Sequence, residues 1–306
     1  MRLVFMGTPD IARKCLQRLV EDGHEIAGVY TKPDTPKNRG MKMEASEVKQ
    51  YALSVGLPVY QPTRWKSEQT YQTLKALQPE LIVVVAYGRI LPQRVLDIAP
   101  RGAINLHASL LPQLRGAGPV QWAVLRGLET TGATVMYLSA EMDAGDMIDR
   151  VETPIGPDET YGELLERLGD LGAELLSSTV RRMEAGPVEA VPQDASQATY
   201  APMLTKELSP IDWSQSPQQI HNHVRGMVPW PVATTVLEGK KLKIFRVGLT
   251  DLHTDKAPGT PVAVTRQGLQ MACGQGEVVT ILELQAEGGK RMRAADYLRG
   301  HPITIA

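Results

Sequence analysis

The chain has 306 residues, of which 42% are hydrophobic and 22% are charged. This length can bury a sizeable core and exceeds that of a usual single domain, so we expect two domains. The net charge of −1 excludes a polycation that binds nucleic acid through its overall charge, and any such contact requires a local basic patch.

The cysteine content and the first residues bear on the cellular compartment. Cys15 and Cys273 stand far apart in the sequence, which argues against a disulfide framework and a cysteine-based zinc site. The apolar run at residues 3–6 is too short for a signal peptide, and no segment approaches a membrane-spanning length. We therefore expect a cytoplasmic protein with no membrane contact, and no required protein partner is evident.

The first part of the chain alternates short apolar strands with amphipathic helices. Residues 2–6 predict a buried strand that a turn at residues 7–10 connects to a helix, and residues 26–30 predict a second strand. Residues 81–86 form a continuous apolar run, which is typical of a strand buried on both faces of a parallel sheet. Alternation through about residue 125 predicts an α/β fold with a Rossmann-like, doubly wound sheet.

A polar segment at residues 32–40 interrupts this pattern. It contains two prolines and a glycine among charged residues, so we expect a mobile loop without regular structure, followed by a helix at 44–54. Further along, residues 133–138 and 147–155 predict two consecutive strands, joined by a loop that carries Asp143.

The sequence pattern changes after a long helix predicted at residues 161–183. Residues 190–206 are rich in proline and small polar residues, which predicts a linker between a domain at 1–189, with its basic loop at 31–47, and one at 207–306. The second domain has one predicted helix, at about 217–226, and several short strands separated by glycine turns, which indicates a small OB-like β-barrel. These strands are predicted at 232–236, 241–247, 260–265, 269–272 and 278–284.

An amide and an imidazole stand two residues apart at Asn105 and His107. Side chains alternate across a strand with a period of two, so both point to the same side of an extended backbone. Residues 101–104 predict a short strand just before them, and open α/β sheets place ligands at such strand ends. Asp143 from the second loop would complete a constellation of amide, imidazole and carboxylate.

This constellation fits acyl transfer through a tetrahedral intermediate. His107 could act in general acid-base catalysis, which typically contributes roughly 10²- to 10⁴-fold, and a nearby carboxylate favours the charged imidazole. Asn105 could donate to a developing oxyanion, an interaction worth about 10²- to 10³-fold. No serine or cysteine is placed as the attacking group, so the substrate itself would supply the nucleophile. Taken singly, each residue also has a structural interpretation, as a turn cap, a satisfied strand-end histidine or an ordinary loop aspartate.

Together with several other motifs, these residues make the chain similar to a known family. The chain resembles the methionyl-tRNA formyltransferase family, whose members use 10-formyltetrahydrofolate as formyl donor. The resemblance runs nearly end to end. It is carried by residues 4–10, 84–92, 104–112, 115–116, 143–147, 211–213 and 229–231.

The resemblance implies a reaction and a set of site residues. The amino group of methionine on charged initiator tRNA would attack the formyl carbon, giving N-formylmethionyl-tRNA for translation initiation. Asn105 would hold the developing oxyanion, His107 would handle the proton change, and Asp143 would orient the imidazole and the folate. The folate is expected near Ser109, Leu110, Leu111 and Pro112, and against Ala86, Tyr87, Gly88 and Leu91.

The resemblance also gives the polar loop a role in binding tRNA. Family members carry an inserted basic loop that wedges against the end of the acceptor stem. Arg39 before Gly40 matches its key arginine, with Lys37 and Lys42 nearby, although Asn38 stands where the family usually has glycine. The alternative is an ordinary solvated loop.

The second domain adds basic residues but no metal site. They could present a basic face to phosphates, or serve solubility only. These residues are Lys240, Lys241, Lys243, Arg246, Lys290, Arg291 and Arg293. His221 and His223 lie two apart on a predicted helix and therefore on different faces, so we expect no metal.

Other functions compete with formyl transfer to initiator tRNA. An amino-sugar or other small-amine formyltransferase, or a formyl-folate hydrolase, would share the catalytic domain but needs neither the basic loop nor the second domain. A dinucleotide-binding oxidoreductase is disfavoured because residues 7–9 lack the three-glycine fingerprint. A non-catalytic RNA-binding protein would leave the Asn105, His107 and Asp143 constellation without a purpose.

Overall fold

A computed structural model describes residues 1–37 and 42–305 of the chain. The chain divides into two compact units. The first comprises Met1–Pro119, Thr130–Thr153 and Leu165–Ala201, and the second comprises Val120–Glu129, Pro154–Leu164 and Pro202–Ala306. The predicted domain boundaries at residues 189 and 207 stay predictions.

A seven-stranded sheet forms the centre of the first unit. The strands of this part of the chain are β1 (Arg2–Gly7), β2 (Glu25–Tyr30), β3 (Thr35–Lys37), β4 (Lys42–Glu44), β5 (Val59–Tyr60), β6 (Leu81–Val85), β7 (Ala103–His107), β8 (Thr130–Tyr137) and β9 (Met147–Pro154). The order in the sheet is β5-β2-β1-β6-β7-β8-β9, while β3 and β4 form a separate two-stranded ribbon. Strands β5, β2, β1, β6 and β7 pair in parallel, whereas β8 pairs antiparallel with β7. Every residue of β6 is buried, as its apolar run predicts, and the Rossmann-like α/β fold is confirmed.

The helices of this part of the chain turn an apolar stripe toward the core. They are α1 (Asp10–Glu21), α2 (Glu47–Ser54), α3 (Glu68–Ala76), α4 (Gln93–Leu96), α5 (Pro119–Leu125) and α6 (Tyr161–Ala185). In α1, Ala12, Cys15, Leu16 and Leu19 are fully buried at helical spacing and pack in the same core cluster as Phe5 of β1. Among residues 1–37 and 42–305, no helix has both the length and the apolar composition needed to cross a bilayer.

A short hairpin corrects one prediction. Residues 32–40 were expected to lack regular structure, but Thr35–Lys37 pairs antiparallel with Lys42–Glu44. Pro36, which has no N–H to donate, is tolerated because the ribbon has only two strands. The hairpin also explains why α2 begins at Glu47 instead of residue 44, with the Ser46 hydroxyl accepting from the Lys49 amide.

A side-chain cluster lies at the base of the hairpin. The Lys49 ammonium donates to both carboxylate oxygens of Asp34, at 2.9 and 2.7 Å, and the Gln61 amide donates to one of them at 2.7 Å. These hydrogen bonds hold the pKa of the Asp34 carboxyl below its usual value. The residues between the two strands, 38–41, lie outside the described residues.

The second unit contains an antiparallel sheet in the order β10-β11-β14-β13-β12, with β15 beside β14. Its elements in chain order are α7 (Pro217–Gly226), β10 (Ala233–Leu237), β11 (Lys240–His253), β12 (Pro261–Val264), β13 (Leu269–Ala272), β14 (Glu277–Ala286), β15 (Met292–Arg293) and α8 (Ala294–Gly300). Val224 of α7 packs with Ile244 and Ile281 of the sheet in one core. The prediction of a second, smaller β domain is confirmed, and its sheet is antiparallel, whereas helix α8 was not predicted.

The two cysteines provide a test of this packing. Both side chains are fully buried, and burial raises the pKa of the Cys15 thiol to about 12. The thiolate is the reactive form, so we expect both native thiols to react with a disulfide reagent at pH 8 at least ~100-fold more slowly than in guanidinium. A time course of thiol release in the two conditions measures this. Rapid modification of either native thiol would contradict the described core.

Candidate active site

Strand β7 carries both members of the predicted pair. Asn105 and His107 are 8% and 6% exposed, and they share one face because they stand two residues apart. The strand pairs with β6 on one side and β8 on the other, so its backbone is fixed from both sides. It extends through His107 instead of ending at residue 104, because its pairing continues as far as Thr134. The structure therefore brings the amide and the imidazole together at the carboxyl end of a central strand.

The imidazole of His107 is held by a backbone carbonyl. Its Nε2 lies 2.9 Å from the carbonyl oxygen of Leu114, which can only accept, so we assign the proton to Nε2. In the neutral ring, Nδ1 is then left with a free lone pair. Sequence reasoning missed this contact because no side-chain motif marks a backbone acceptor. Leu114 itself has a positive φ of 59°, which belongs to the tight turn that presents its carbonyl.

The carboxylate of Asp143 faces the other ring nitrogen. Its Oδ2 lies 3.8 Å from Nδ1 of His107, which is within ion-pair distance but longer than a hydrogen bond. The same oxygen accepts a hydrogen bond from the Gly116 amide at 2.8 Å. The structure thus places Asp143 beside His107, and Gly116 is a further site residue that the sequence analysis did not assign.

Glycine is needed at position 116 for two reasons. Its φ of +110° is a conformation that other residues rarely adopt. A Cβ at this position would also lie 2.8 Å from the carbonyl oxygen of Ala201. The available sequence signal was the place of this glycine directly after Arg115 and shortly after Pro112.

The side-chain amide of Asn105 has free hydrogen-bonding capacity. Within residues 1–37 and 42–305, no hydrogen bond joins this amide to another residue, although the side chain is largely buried. The amide atoms themselves remain accessible from outside the fold, so a ligand can bond to them without displacing a protein partner. A carbonyl oxygen of a substrate fits this requirement.

Two of the residues expected near folate have side chains used inside the fold. The Ser109 hydroxyl donates to the Gln113 carbonyl at 2.6 Å, and the Leu111 side chain is 1% exposed. The Thr134 hydroxyl donates to the Ser109 carbonyl and accepts from the Leu111 amide, which stiffens the turn after β7. Leu110 and Pro112 are only half-buried and remain open to contact.

The other expected folate residues follow strand β6, next to β7. Ala86 and Gly88 are exposed and have positive φ angles of 44° and 70°. Tyr87 is 2% exposed, its hydroxyl accepts from the Trp65 indole N–H at 3.2 Å, and burial raises its pKa to about 12. The Tyr87 side chain therefore belongs to the core, and the open backbone on either side of it is what a ligand can reach. Leu91 is half-buried.

The predicted tRNA-binding residues are only partly described. Arg39 lies outside the described residues, and the backbones of Lys37 and Lys42 pair at the ends of the hairpin strands. In the second unit, His221 contacts Asp158 at 2.9 Å and His223 contacts the Ser209 carbonyl at 3.4 Å. Burial lowers the pKa of both imidazoles. No group of three or more His, Cys, Asp or Glu residues in the described ranges could hold a metal ion.

Comparison with known proteins identifies the family. Residues 1–180 match the family described as formyl transferase, and residues 203–302 match the formyl transferase C-terminal domain. A methionyl-tRNA formyltransferase of Alkaliphilus oremlandii is 45% identical over 303 residues, which cover 99% of this chain and 97% of that protein. That of Bacillus subtilis is 44% identical, with 98% and 94% covered. The chain belongs to the methionyl-tRNA formyltransferase family. The resemblance inferred from sequence is thereby confirmed.

Solved structures share the fold of this family member. HypX from Aquifex aeolicus in complex with tetrahydrofolic acid has a TM-score of 0.66 and 18% identity, covering 97% of this chain and 47% of that chain. An N-formyltransferase from Helicobacter canadensis has a TM-score of 0.68 and 16% identity, with 91% and 98% covered. At these identities, the likeness shows the fold alone.

A substitution at Gly145, two residues after Asp143, tests the packing of the loop that carries Asp143. A Cβ at this position would collide with the carbonyl oxygen of Tyr137, so Gly145→Ala should lower the free energy of unfolding by about 1–3 kcal/mol. Gly186→Ala is the matched control, because a Cβ there meets nothing within 4 Å. Denaturant unfolding of both variants measures the difference. Equal stability of the two variants would contradict the described loop.

Proposed function

We propose that this chain transfers the formyl group of 10-formyltetrahydrofolate to the methionine amino group of charged initiator tRNA, forming N-formylmethionyl-tRNA. The observation that carries the proposal is the accessible amide of Asn105, which has no hydrogen bond within the described residues and lies on the same face of β7 as His107. The names of the curated relatives support the choice of acceptor. Since the product serves translation initiation, we place the reaction in the cytoplasm.

The Asn105 amide is assigned to donating a hydrogen bond to the oxygen of the formyl group. When the amine attacks, the C–N bond forms and negative charge develops on this oxygen. The Asn105 Nδ2–H groups, with no partner in the described parts of the chain, can donate to it without breaking an existing hydrogen bond. Such a donor stabilises the transition state more than the ground state.

His107 and Asp143 are assigned to accepting and stabilising the proton that the amine releases. Since Nε2 is occupied by the Leu114 carbonyl, Nδ1 is the ring atom that can receive this proton. The Asp143 carboxylate, 3.8 Å away, stabilises the imidazolium that forms. The proton then returns to the folate nitrogen as its bond to the formyl carbon breaks, so no proton is gained or lost overall.

Folate enters this proposal as the donor substrate. The exposed backbone of Ala86 and Gly88 and the half-buried side chains of Leu91, Leu110 and Pro112 would hold it next to β7. These groups fit a largely flat, partly polar ligand, because they combine open backbone atoms with apolar side chains. Ser109, Tyr87 and Leu111 would support them from inside the fold.

The alternative is a formyltransferase for an amino sugar or another small amine, or a formyl-folate hydrolase. The match of residues 203–302 to the C-terminal formyl transferase domain and the full-length similarity to methionyl-tRNA formyltransferases favour the tRNA acceptor. Purified protein with 10-formyltetrahydrofolate should formylate methionyl-tRNA. Turnover with a small amine or with water as acceptor, and none with methionyl-tRNA, would refute this function.

The role of His107 predicts a selective loss of chemistry. His107→Ala should lower kcat by roughly 10²- to 10⁴-fold, because the ring carries the proton, while methionyl-tRNA still binds. Single-turnover formylation and a separate tRNA-binding assay distinguish the two effects. His253→Ala is the control, since this exposed histidine lies on β11 in the second unit. Near-normal turnover of His107→Ala would refute the assignment.

Arg39 is assigned to binding the acceptor tRNA, so its substitution should change KM for the tRNA instead of kcat. Arg39→Ala should raise KM for methionyl-tRNA about tenfold, the loss expected for a hydrogen bond to a charged group, and leave KM for the folate unchanged. Arg64→Ala, a change of an exposed arginine in the described part of the chain, is the matched control. If both variants behave alike, the loop has no specific part in binding tRNA.

A further inference from the structure

Residues 191–201, which the sequence analysis assigned to a linker, are hydrogen-bonded into the first unit. Val191 exchanges two backbone hydrogen bonds with Met147, each 2.8 Å long. The Arg115 amide donates to the Thr199 carbonyl at 2.8 Å, and the Ala201 amide donates to the Arg115 carbonyl at 2.7 Å. The segment is thereby fixed at one end beside the loop that carries Asp143 and at the other beside the turn that holds Gly116.

Gln193 lies between these two attachment points and bonds the Asp143 loop directly. Its side-chain Nε2 donates to the carbonyl oxygens of Asp143 at 2.9 Å and Gly145 at 2.8 Å. One NH2 group has two hydrogens, so it satisfies both carbonyls at once. Asp143 adopts a positive φ of 52°, which costs free energy in a residue other than glycine and persists only where surrounding contacts enforce it.

Arg115 determines which way the Gln193 amide points. The guanidinium is 3% exposed, and its Nε and Nη2 donate to the Gln193 Oε1 at 3.1 and 2.8 Å. A guanidinium can only donate, so the oxygen end of the amide must face it and the NH2 end must face the loop. The carboxylate of Glu141, which is 73% exposed, forms a longer ion pair with Nη1 at 3.5 Å.

A buried arginine whose shortest side-chain contacts are with a neutral amide, and whose carboxylate partner is exposed, is a poor means of stabilising a fold, because burying the charge is costly. It is a good means of fixing an amide orientation, which the Asp143 loop requires. We propose that Gln193, oriented by Arg115, is a positioning residue that holds the Asp143 carboxylate opposite Nδ1 of His107. This inference rests on the proposed function, since it gives Asp143 its part in the reaction.

Three variants separate positioning from simple structural support. Gln193→Glu keeps an oxygen for Arg115 and adds an ion pair, but it puts a second oxygen where the NH2 group met two carbonyls. Gln193→Leu removes both sets of bonds. Gln197→Leu is the matched control, because Gln197 is an exposed glutamine of the same segment whose amide donates to Asp194.

The positioning role predicts a loss in kcat with little change in KM. We expect Gln193→Glu to lose about 10- to 100-fold in kcat, the effect of displacing a catalytic group by about 1 Å, while both KM values change little. Its melting temperature should fall less than that of Gln193→Leu, because the contact with Arg115 is kept. Gln197→Leu should match the wild type in every parameter. Wild-type kcat in Gln193→Glu would overturn the inference.

A second readout needs no substrate. The ring ¹⁵N signals of His107 in the free protein should move in Gln193→Leu and Gln193→Glu and stay in place in Gln197→Leu. Unchanged His107 signals in both Gln193 variants would overturn the positioning role even if their activity falls. A wild-type protein that does not formylate methionyl-tRNA would refute the proposed function instead, and the ring signals would still decide this inference.

Discussion

The hydrogen bond from His107 Nε2 to the Leu114 carbonyl is the interaction on which the site depends. It occupies one ring nitrogen with an acceptor and leaves Nδ1 to the Asp143 carboxylate and to the substrate. Strand pairing on both sides of β7 fixes the backbone below the ring, and the Gly116 amide fixes the carboxylate beside it. Proton handling in the proposed reaction therefore passes through a single atom, whose surroundings are all held by the fold.

The site requires no protein nucleophile. In the proposed reaction, Asn105 supplies hydrogen-bond donors and His107 with Asp143 supplies a place for one proton, which is sufficient when an amine of the substrate attacks. This division makes the catalytic residues largely independent of the acceptor. Recognition of the tRNA is then assigned to other parts of the chain, namely the loop around Arg39 and the second domain.

Much of the fold could be predicted because its signals are local. The all-buried strand β6 follows from a continuous apolar run, and the shared face of Asn105 and His107 follows from their spacing of two. Backbone partners could not be predicted, because the Leu114 carbonyl and the Gly116 amide reach the site only through tertiary contacts. The same holds for Gln193, which in the sequence is one polar residue in a segment typical of a linker.

Long-range packing also explains where residue-level predictions and the structure differ. Residues 35–37 form a strand despite Pro36, because a partner strand at 42–44 is available to them. Tyr87 was chosen for its place after β6, but its side chain is buried beside Trp65. A sequence motif therefore does not show which atoms of its residues are free to bind a ligand.

The tautomer of His107 tests this arrangement most directly. Two-bond ¹H–¹⁵N correlation spectra of the substrate-free protein, recorded at a pH where the ring is neutral, distinguish the two tautomers. The hydrogen bond to the Leu114 carbonyl predicts a proton on Nε2 and none on Nδ1. A proton found on Nδ1 would contradict it, because Nε2 could then no longer donate to that carbonyl and Nδ1 could no longer receive the proton of the amine.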